Sequence, residues 1–238
     1  MSHRLTLRLL IGWVVFLGIL YSAVSVIRHN HFESGGFDLG IYDQAVWQYS
    51  QFLPPYSTIK ERFILGDHLT LTLPLLAPLY WLLSDARMLL IFQAFWLSFS
   101  SIGIYHLAFF RLTKLKWPRL GCQWTALGIS IIYSLFPGIQ YAVFFDFHPV
   151  VIGIGLLPWI AYFLEAKKIK LLWGAIVLLV LTQENMGMAL AGLGLIYVFQ
   201  KTFRRQALIF IIGGLLASFA AIKVTALFSP IGFEYAPV

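Results

Sequence analysis

Residues 171–200 read LLWGAIVLLVLTQENMGMALAGLGLIYVFQ, an apolar segment that is interrupted in its middle by polar residues. The interruption leaves two apolar arms, at about 171–182 and 187–200. Both arms are shorter than the roughly 20 residues that a helix needs to cross a bilayer. The segment is therefore predicted to enter the membrane and turn back, with Glu184 near its apex. Non-helical backbone at that depth requires a cavity lined by protein or water.

The rest of the chain has the composition of a membrane protein. Hydrophobic residues make up 60% of the 238 residues and charged residues 11%, whereas a soluble domain has about 25% charged residues. The mean hydropathy is +0.82. We predict an all-α, polytopic transmembrane helical bundle that forms a single domain over residues 1–238. Its further apolar segments lie at about 7–27, 86–110, 120–138, 149–165 and 206–228.

The basic residues predict how the bundle is oriented. Lys and Arg are enriched in the cytoplasmic loops of membrane proteins, so Arg4 and Arg8 place the N-terminus in the cytoplasm and residues 28–68 outside. In the resulting multi-pass topology, 12 of the 17 Lys and Arg face the cytoplasm and nine of the ten Asp and Glu face outward. The expected location is the inner or plasma membrane of the cell. The net charge of +7 then needs no nucleic-acid partner.

Two segments depart from simple crossings. Residues 69–83 are apolar but contain Pro74 and Pro78, which disfavour a regular helix interior. Only one crossing fits between the outer loop and the next basic cluster, so residues 69–83 are predicted to be re-entrant or interfacial. The final residues, FSPIGFEYAPV at 228–238, lack a polar tail. We expect the chain to be truncated at its C-terminus.

The outer loop contains two aspartates in GGFDLGIYDQAVW, residues 35–47. Asp38 and Asp43 are five positions apart, which is about 140° of helix rotation, so they would not share a helix face. A dyad of paired carboxylates is therefore disfavoured. Asp38 could be the N-cap of a helix that begins near Leu39. Alternatively, it could lie in the loop before the helix and point into a cavity.

Three other polar motifs lie on the same predicted side. Asp67 and His68 occur in GDHL, and Glu184 and Asn185 occur in the interruption of residues 171–200. These four residues are candidates for substrate binding; a surface turn is the alternative for the first pair. Three cations that could hold an anionic lipid head are also candidates, although each could be a solvated charge. They are Lys60, Arg62 and Lys223.

The third motif, FFDFHPV at residues 144–150, contains Asp146 and His148. Pro149 biases His148 towards an extended conformation, in which residues i and i+2 face the same side. The two side chains could then converge on a divalent cation or a phosphate. A structural hydrogen bond between them that caps the next helix is the alternative.

The sequence resembles a known family in four motifs that occur in order. They are GGFDLGIYDQAVW, GDHLTLTLPLLAPLYWLL, FPGIQYAVFFDFHPV and LTQENMGMALAGLGLIYVF. They resemble the bacterial and archaeal membrane proteins of the domain-of-unknown-function 2079 family, from Phe37 to about Tyr197. That family looks related to the GT-C superfamily of membrane glycosyltransferases, and the relation would imply a GT-C-like bundle.

The resemblance implies a function for the outer acids. GT-C enzymes use polyprenyl-phosphate-linked sugars and an acidic residue in the first outer loop as a base or metal partner. Asp38 and Asp43 match that loop as catalytic candidates, although the adjacent acid pair of several GT-C branches is absent. Mg²⁺ or Mn²⁺ held by Asp146 and His148 would be the cofactor if one is used.

The expected function is therefore sugar transfer from a polyprenyl-phosphate donor at the outer face, among membrane lipids. Two alternatives stay open. A broken helix at Thr182–Asn185 also suits a transporter or lipid flippase, whose ionisable residues relay protons or couple ions. A chain of this length could also be a non-catalytic membrane subunit.

Overall fold

The computed structural model describes residues 3–229 and residue 232, and in these residues it confirms the all-α fold class. Ten α-helices lie in this part of the chain. They are α1 (His3–Asn30), α2 (Ile41–Ser50), α3 (Ala77–Leu82), α4 (Arg87–Lys114), α5 (Arg119–Ser134), α6 (Pro137–Phe144), α7 (Val150–Glu165), α8 (Ile169–Val180), α9 (Met186–Tyr197) and α10 (Arg204–Leu227). A two-residue antiparallel pair, β1 (Tyr56–Ser57) and β2 (Arg62–Phe63), forms a small hairpin between α2 and α3.

Three of the described helical stretches are long and apolar enough to cross a membrane. They cover Arg4–Asn30, Arg87–Lys114 and Lys201–Leu227, the last including a 3-10 turn before α10. Helices α5 and α6 satisfy the same test together, as one span bent by 43°. The part of the chain that the structure describes thus has three candidate spans, or four with the bent pair.

The bend between α5 and α6 divides the segment that the sequence predicts as one helix at 120–138. Pro137 begins α6, and Phe136 before it is extended, with φ −60° and ψ 135°. A proline disfavours the helical conformation of the residue that precedes it, because its ring clashes with that residue's backbone. The helix must therefore stop before Phe136 and restart at Pro137.

The remaining apolar helices are shorter than a bilayer crossing requires. Helix α7 has 16 residues, and α8 and α9 have 12 each, against the roughly 20 needed. Helices α8 and α9 are the two arms predicted for residues 171–200. Their break coincides with the polar interruption, and its side chains are buried, with 0% exposure for Thr182 and 1% for Glu184.

The chain divides into two compact units. The first comprises the residues up to Ser34, Leu89–Phe147 and Ile154–Ala175, and the second comprises Gly35–Met88, His148–Gly153 and the residues from Ile176 onward. In the first unit, an apolar cluster joins α1, α4 and α5 through Leu10, Tyr105 and Ala126.

Hydrogen bonds fix α1 against the end of α5 in the first unit. The indole of Trp13 donates to the hydroxyl of Ser134 at 2.9 Å, and the hydroxyl of Tyr21 donates to the Ser134 carbonyl at 2.8 Å. The carbonyls near a helix end have no partner within the helix, so this bond satisfies one of them.

In the second unit, α9 and α10 pack closely through small residues. A Cβ placed on Gly187 would overlap the carbonyl oxygen of Gly214, and one placed on Gly194 would approach that of Ala207 to 2.7 Å. Small residues let helix backbones approach each other, which is a common way to pack helices within a membrane. This helix pair belongs to the unit that contains most of the polar motifs.

Gly187→Ala is expected to destabilise the protein by about 1–3 kcal/mol, because the added methyl group overpacks the α9–α10 contact. The measurement is thermal unfolding in detergent. Gly192→Ala is the matched control, because Gly192 lies on the same helix and its Cβ would meet no atom within 4 Å. Equal stability of the two variants would contradict the close packing.

Candidate functional site

The chain enters α2 through one turn of π-helix at Gly36–Gly40. Helical backbone therefore begins three residues before Leu39, and Gly35 rather than Asp38 precedes it, without a side-chain capping bond. The N-cap alternative for Asp38 is thus wrong. Single π-helical turns are rare and frequently occur at functional sites. Asp38 lies inside this turn.

Asp38 is paired with His148. The imidazole Nε2 of His148 lies 2.9 Å from Oδ1 of Asp38, and the side chains are 27% and 32% exposed. When the carboxylate is ionised, Nε2 is protonated and donates a hydrogen bond to it, because a carboxylate only accepts hydrogen bonds. Nδ1 of His148 is buried. The accessible group of this pair is therefore the carboxylate.

The metal pair expected from the sequence, Asp146 and His148, stays a prediction. Asp146 belongs to the first compact unit, where it is 8% exposed, whereas His148 belongs to the second. Among the described residues, no group of three or more His, Cys, Asp or Glu is placed to hold a metal ion. The structure places His148 within hydrogen-bond distance of Asp38.

Tyr42 lies at the centre of the polar residues of the second unit. It is 2% exposed, and its ring meets the His148 ring edge-on at 5.2 Å. Burial raises the pKa of Tyr42 well above its ordinary value, and the charges of Asp67, Asp38 and Glu184 raise it further. The negative charges of three separate segments thus oppose ionisation of this phenol.

The sequence analysis missed Tyr42, although a signal for it was present. Tyr42 follows Asp38 by four positions, and residues at i and i+4 are neighbours on a helix face. The comparison of Asp38 with Asp43 excluded a shared face for the two acids. That comparison does not include Tyr42, the residue that shares the helix face of Asp38.

Lys60 is presented by the loop of the small hairpin. Its ammonium group is 3.3 Å from the carboxylate of Asp67, with side-chain exposures of 17% and 11%. The same ammonium group lies 5.7 Å from the ring centre of Phe37, the residue before Asp38. A partly buried cation is thus held near the accessible carboxylate, but by a different acid.

His68 and Glu184 form the most buried ion pair of the site. Nδ1 of His68 lies 2.8 Å from Oε1 of Glu184, which is 1% exposed, and the backbone N–H of Leu69 donates to Oε2 at 3.2 Å. Burial opposes charge on both groups, but their hydrogen bond and mutual attraction prevail. The pKa of His68 is raised and that of Glu184 is lowered, so the pairing favours the charged form of each group.

The other candidates have different surroundings. Asp43 accepts a hydrogen bond of 2.5 Å from the hydroxyl of Tyr80 on α3, so the two aspartates have different partners. Arg62 donates to the hydroxyl of Ser229 and to the carbonyl of Lys60. Lys223 is exposed on α10, 5.5 Å from the ring centre of Phe219. Asn185 precedes α9 without a side-chain capping bond.

Glu184→Gln is expected to lower the free energy of unfolding by on the order of 3 kcal/mol, because it leaves a buried charge without its partner. The contribution of His68 is complete below its ordinary pKa of 6.5 and is lost as pH rises through its raised pKa. The contribution of Glu184 is complete above 4.5 and is lost as pH falls through its lowered pKa.

Thermal unfolding across pH 4–9 measures this dependence, and the largest difference from the wild type should lie between pH 4.5 and 6.5. Glu33→Gln is the control, because Glu33 is 57% exposed in its ion pair with Arg28 and should change stability by less than about 1 kcal/mol. A pH-independent difference would contradict the charged state of the His68–Glu184 pair.

The chain was compared with known proteins. No curated protein and no solved structure matches it. The model of the family described as predicted membrane protein (DUF2079) matches residues 28–230, a range that includes all four polar motifs. With its several apolar helices, the chain is a multi-pass membrane protein and belongs to the DUF2079 family.

Proposed function

We propose that the protein is a membrane glycosyltransferase related to the GT-C superfamily. It transfers a sugar from a polyprenyl-phosphate donor to an acceptor hydroxyl on the extracytoplasmic face. The observation that carries the proposal is the Asp38–His148 pair at the start of α2, with 2.9 Å between Oδ1 and Nε2 and both side chains partly exposed. Such a pair offers an oriented carboxylate to a substrate hydroxyl.

Asp38 acts as the general base. Its carboxylate takes the proton of the acceptor hydroxyl as the hydroxyl oxygen attacks the anomeric carbon of the sugar. The bond between that carbon and the phosphate oxygen breaks, and the lipid phosphate leaves with the electron pair, so that the configuration inverts. His148 orients Asp38 through Nε2, and the burial of Nδ1 leaves it no second nitrogen for substrate.

Lys60 stabilises the leaving phosphate. A donor or cation placed where negative charge develops lowers the barrier of such a reaction, and the ammonium group of Lys60 lies over Phe37, next to Asp38. Asp67 holds this ammonium group in place. In this scheme Arg62 and Lys223 would bind the lipid phosphate further from the reacting atoms, and Asn185 would contact the sugar beside the His68–Glu184 pair.

A divalent cation is given no step in this mechanism. Mg²⁺ prefers six oxygen ligands and binds through carboxylates, whereas Asp38 and His148 offer one carboxylate and one imidazole that are bonded to each other. A cation there would have to displace that hydrogen bond. The proton transfer and the charge stabilisation are both assigned to side chains of the chain itself.

The charge distribution supports the proposed orientation. With the N-terminus in the cytoplasm of an inner or plasma membrane, α2 and the turn between α8 and α9 face outward. Nine of the ten acids then lie outside, whereas 12 of the 17 basic residues lie inside. Lipid-linked sugars used at the outer face would meet Asp38 there.

Asp38→Asn is expected to lower kcat by about 10²- to 10⁴-fold, because the amide cannot take up the proton of the attacking acceptor hydroxyl. The measurement supplies polyprenyl-phosphate sugars of several kinds to purified protein and follows release of the lipid phosphate. Asp43→Asn tests the other aspartate and should retain most activity, since Asp43 is bonded to Tyr80. Glu33→Gln is the control for loss of an acid in the same loop.

Lys60→Met is expected to lower kcat by about 10²-fold while leaving KM within a few-fold, because it removes a cation that acts on charge formed in the transition state. Arg87→Gln is the matched control, since Arg87 is a cation on the same predicted side that is bonded to Asp85. An unchanged kcat would exclude Lys60 from stabilising the leaving group.

A transporter or lipid flippase is the second candidate. The observation that favours it is the break between α8 and α9, where a buried ion pair lies between two short apolar helices. Such broken helices occur at the binding sites of transporters. If reconstituted wild type moves protons or lipid and consumes no sugar donor, the glycosyltransferase proposal fails. If it does neither, the protein is a non-catalytic subunit.

A further inference from the structure

Helix α10 has two faces of different character in the second unit. One face, with Ala207, Phe210 and Gly214, is buried and includes the close contacts to α9. The other is exposed and borders a shallow groove of about 730 Å³. The residues that line this groove are Lys201, Arg204, Arg205, Leu208, Ile209, Ile212 and Gly213.

The groove is basic at one end and apolar along the rest of its length. Its three cations fall within one helical turn, at the start of a stretch that is long and apolar enough to cross a membrane. Leu208 and Ile212 then follow four residues apart, as do Ile209 and Gly213, so all four lie on the same face. Residues 201–227 contain no Asp or Glu, so no acid within this stretch compensates the three positive charges.

We propose that this groove is a binding site for an anionic diacyl phospholipid. The lipid phosphate pairs with Lys201, Arg204 and Arg205, and one acyl chain lies along Leu208 and Ile212. A helix that crosses a membrane is surrounded by lipid, and basic pockets beside membrane helices bind anionic headgroups. The charge complementarity selects an anionic lipid over a zwitterionic one, and the apolar length selects a lipid over a free anion.

Gly213 supplies a test that leaves the charges unchanged. A Cβ placed on Gly213 would meet no atom within 4 Å, so a larger side chain there enters the groove rather than the contact with α9. Gly213→Phe would therefore occupy the place of the acyl chain while the helix packing is retained. This inference does not depend on the proposed glycosyltransferase activity, since none of its residues takes part in that mechanism.

The experiment measures lipids retained by purified protein in native mass spectrometry, with titrations of phosphatidylglycerol and phosphatidylcholine. Wild type is expected to retain phosphatidylglycerol preferentially. The variant with Lys201→Gln, Arg204→Gln and Arg205→Gln should bind it about tenfold or more weakly, and Gly213→Phe should also lose it. A variant with Lys167→Gln, Lys168→Gln and Lys170→Gln removes the same charge elsewhere and should behave as wild type.

The controls separate this site from general lipid attraction. Gly12 on α1 also has open space around its Cβ, so Gly12→Phe should not change phosphatidylglycerol binding. Equal losses from the two triple variants would overturn the proposal, as would undiminished binding to Gly213→Phe. Displacement of the lipid by millimolar inorganic phosphate would also overturn it, because the groove would then hold a simple anion. Thermal unfolding of each variant verifies that it remains folded.

Discussion

The second unit depends on the ion pair between His68 and Glu184. A charged carboxylate that is 1% exposed is strongly unfavourable unless it is paired and hydrogen-bonded. Here it has both the imidazole of His68 and the backbone N–H of Leu69. The pair joins the turn after the hairpin to the break between α8 and α9, more than a hundred positions later in the chain. Both segments lack helical backbone, and this pair fixes them to each other.

The charged groups of the second unit differ in how accessible they are. The side-chain exposure rises from 1% at Glu184 to 11% at Asp67, 17% at Lys60, 27% at His148 and 32% at Asp38. The buried His68–Glu184 pair is therefore suited to stabilise the fold of this unit, whereas the carboxylate of Asp38 is accessible enough to contact a substrate. This order agrees with the proposed assignment of the base to Asp38.

Sequence reasoning could predict features that depend on local composition. The carboxylate of Glu184 between two short apolar arms predicts the interruption. A charged side chain inside a membrane helix is energetically costly, so an unbroken apolar helix rarely contains one. Pro137 is also visible in the sequence. It disfavours helical backbone at Phe136 and so ends α5, but a hydropathy profile does not show this effect. Contacts between residues that lie far apart in the sequence could not be predicted from local composition. The pattern around Pro149 concerns only residues close to His148 in the sequence, so it does not reveal Asp38, which lies 110 positions earlier and is within hydrogen-bond distance.

The distribution of partners is compatible with the base that we propose for Asp38 and the cation that we propose for Lys60. An ammonium group held directly against a carboxylate favours the charged carboxylate and makes it a weaker base. Lys60 is instead held by Asp67, and Asp38 accepts a hydrogen bond from an imidazole. The proposed mechanism needs a carboxylate that takes a proton and a cation that meets a forming phosphate. Separate partners allow both groups to act at one site, because neither neutralises the other before the substrate arrives.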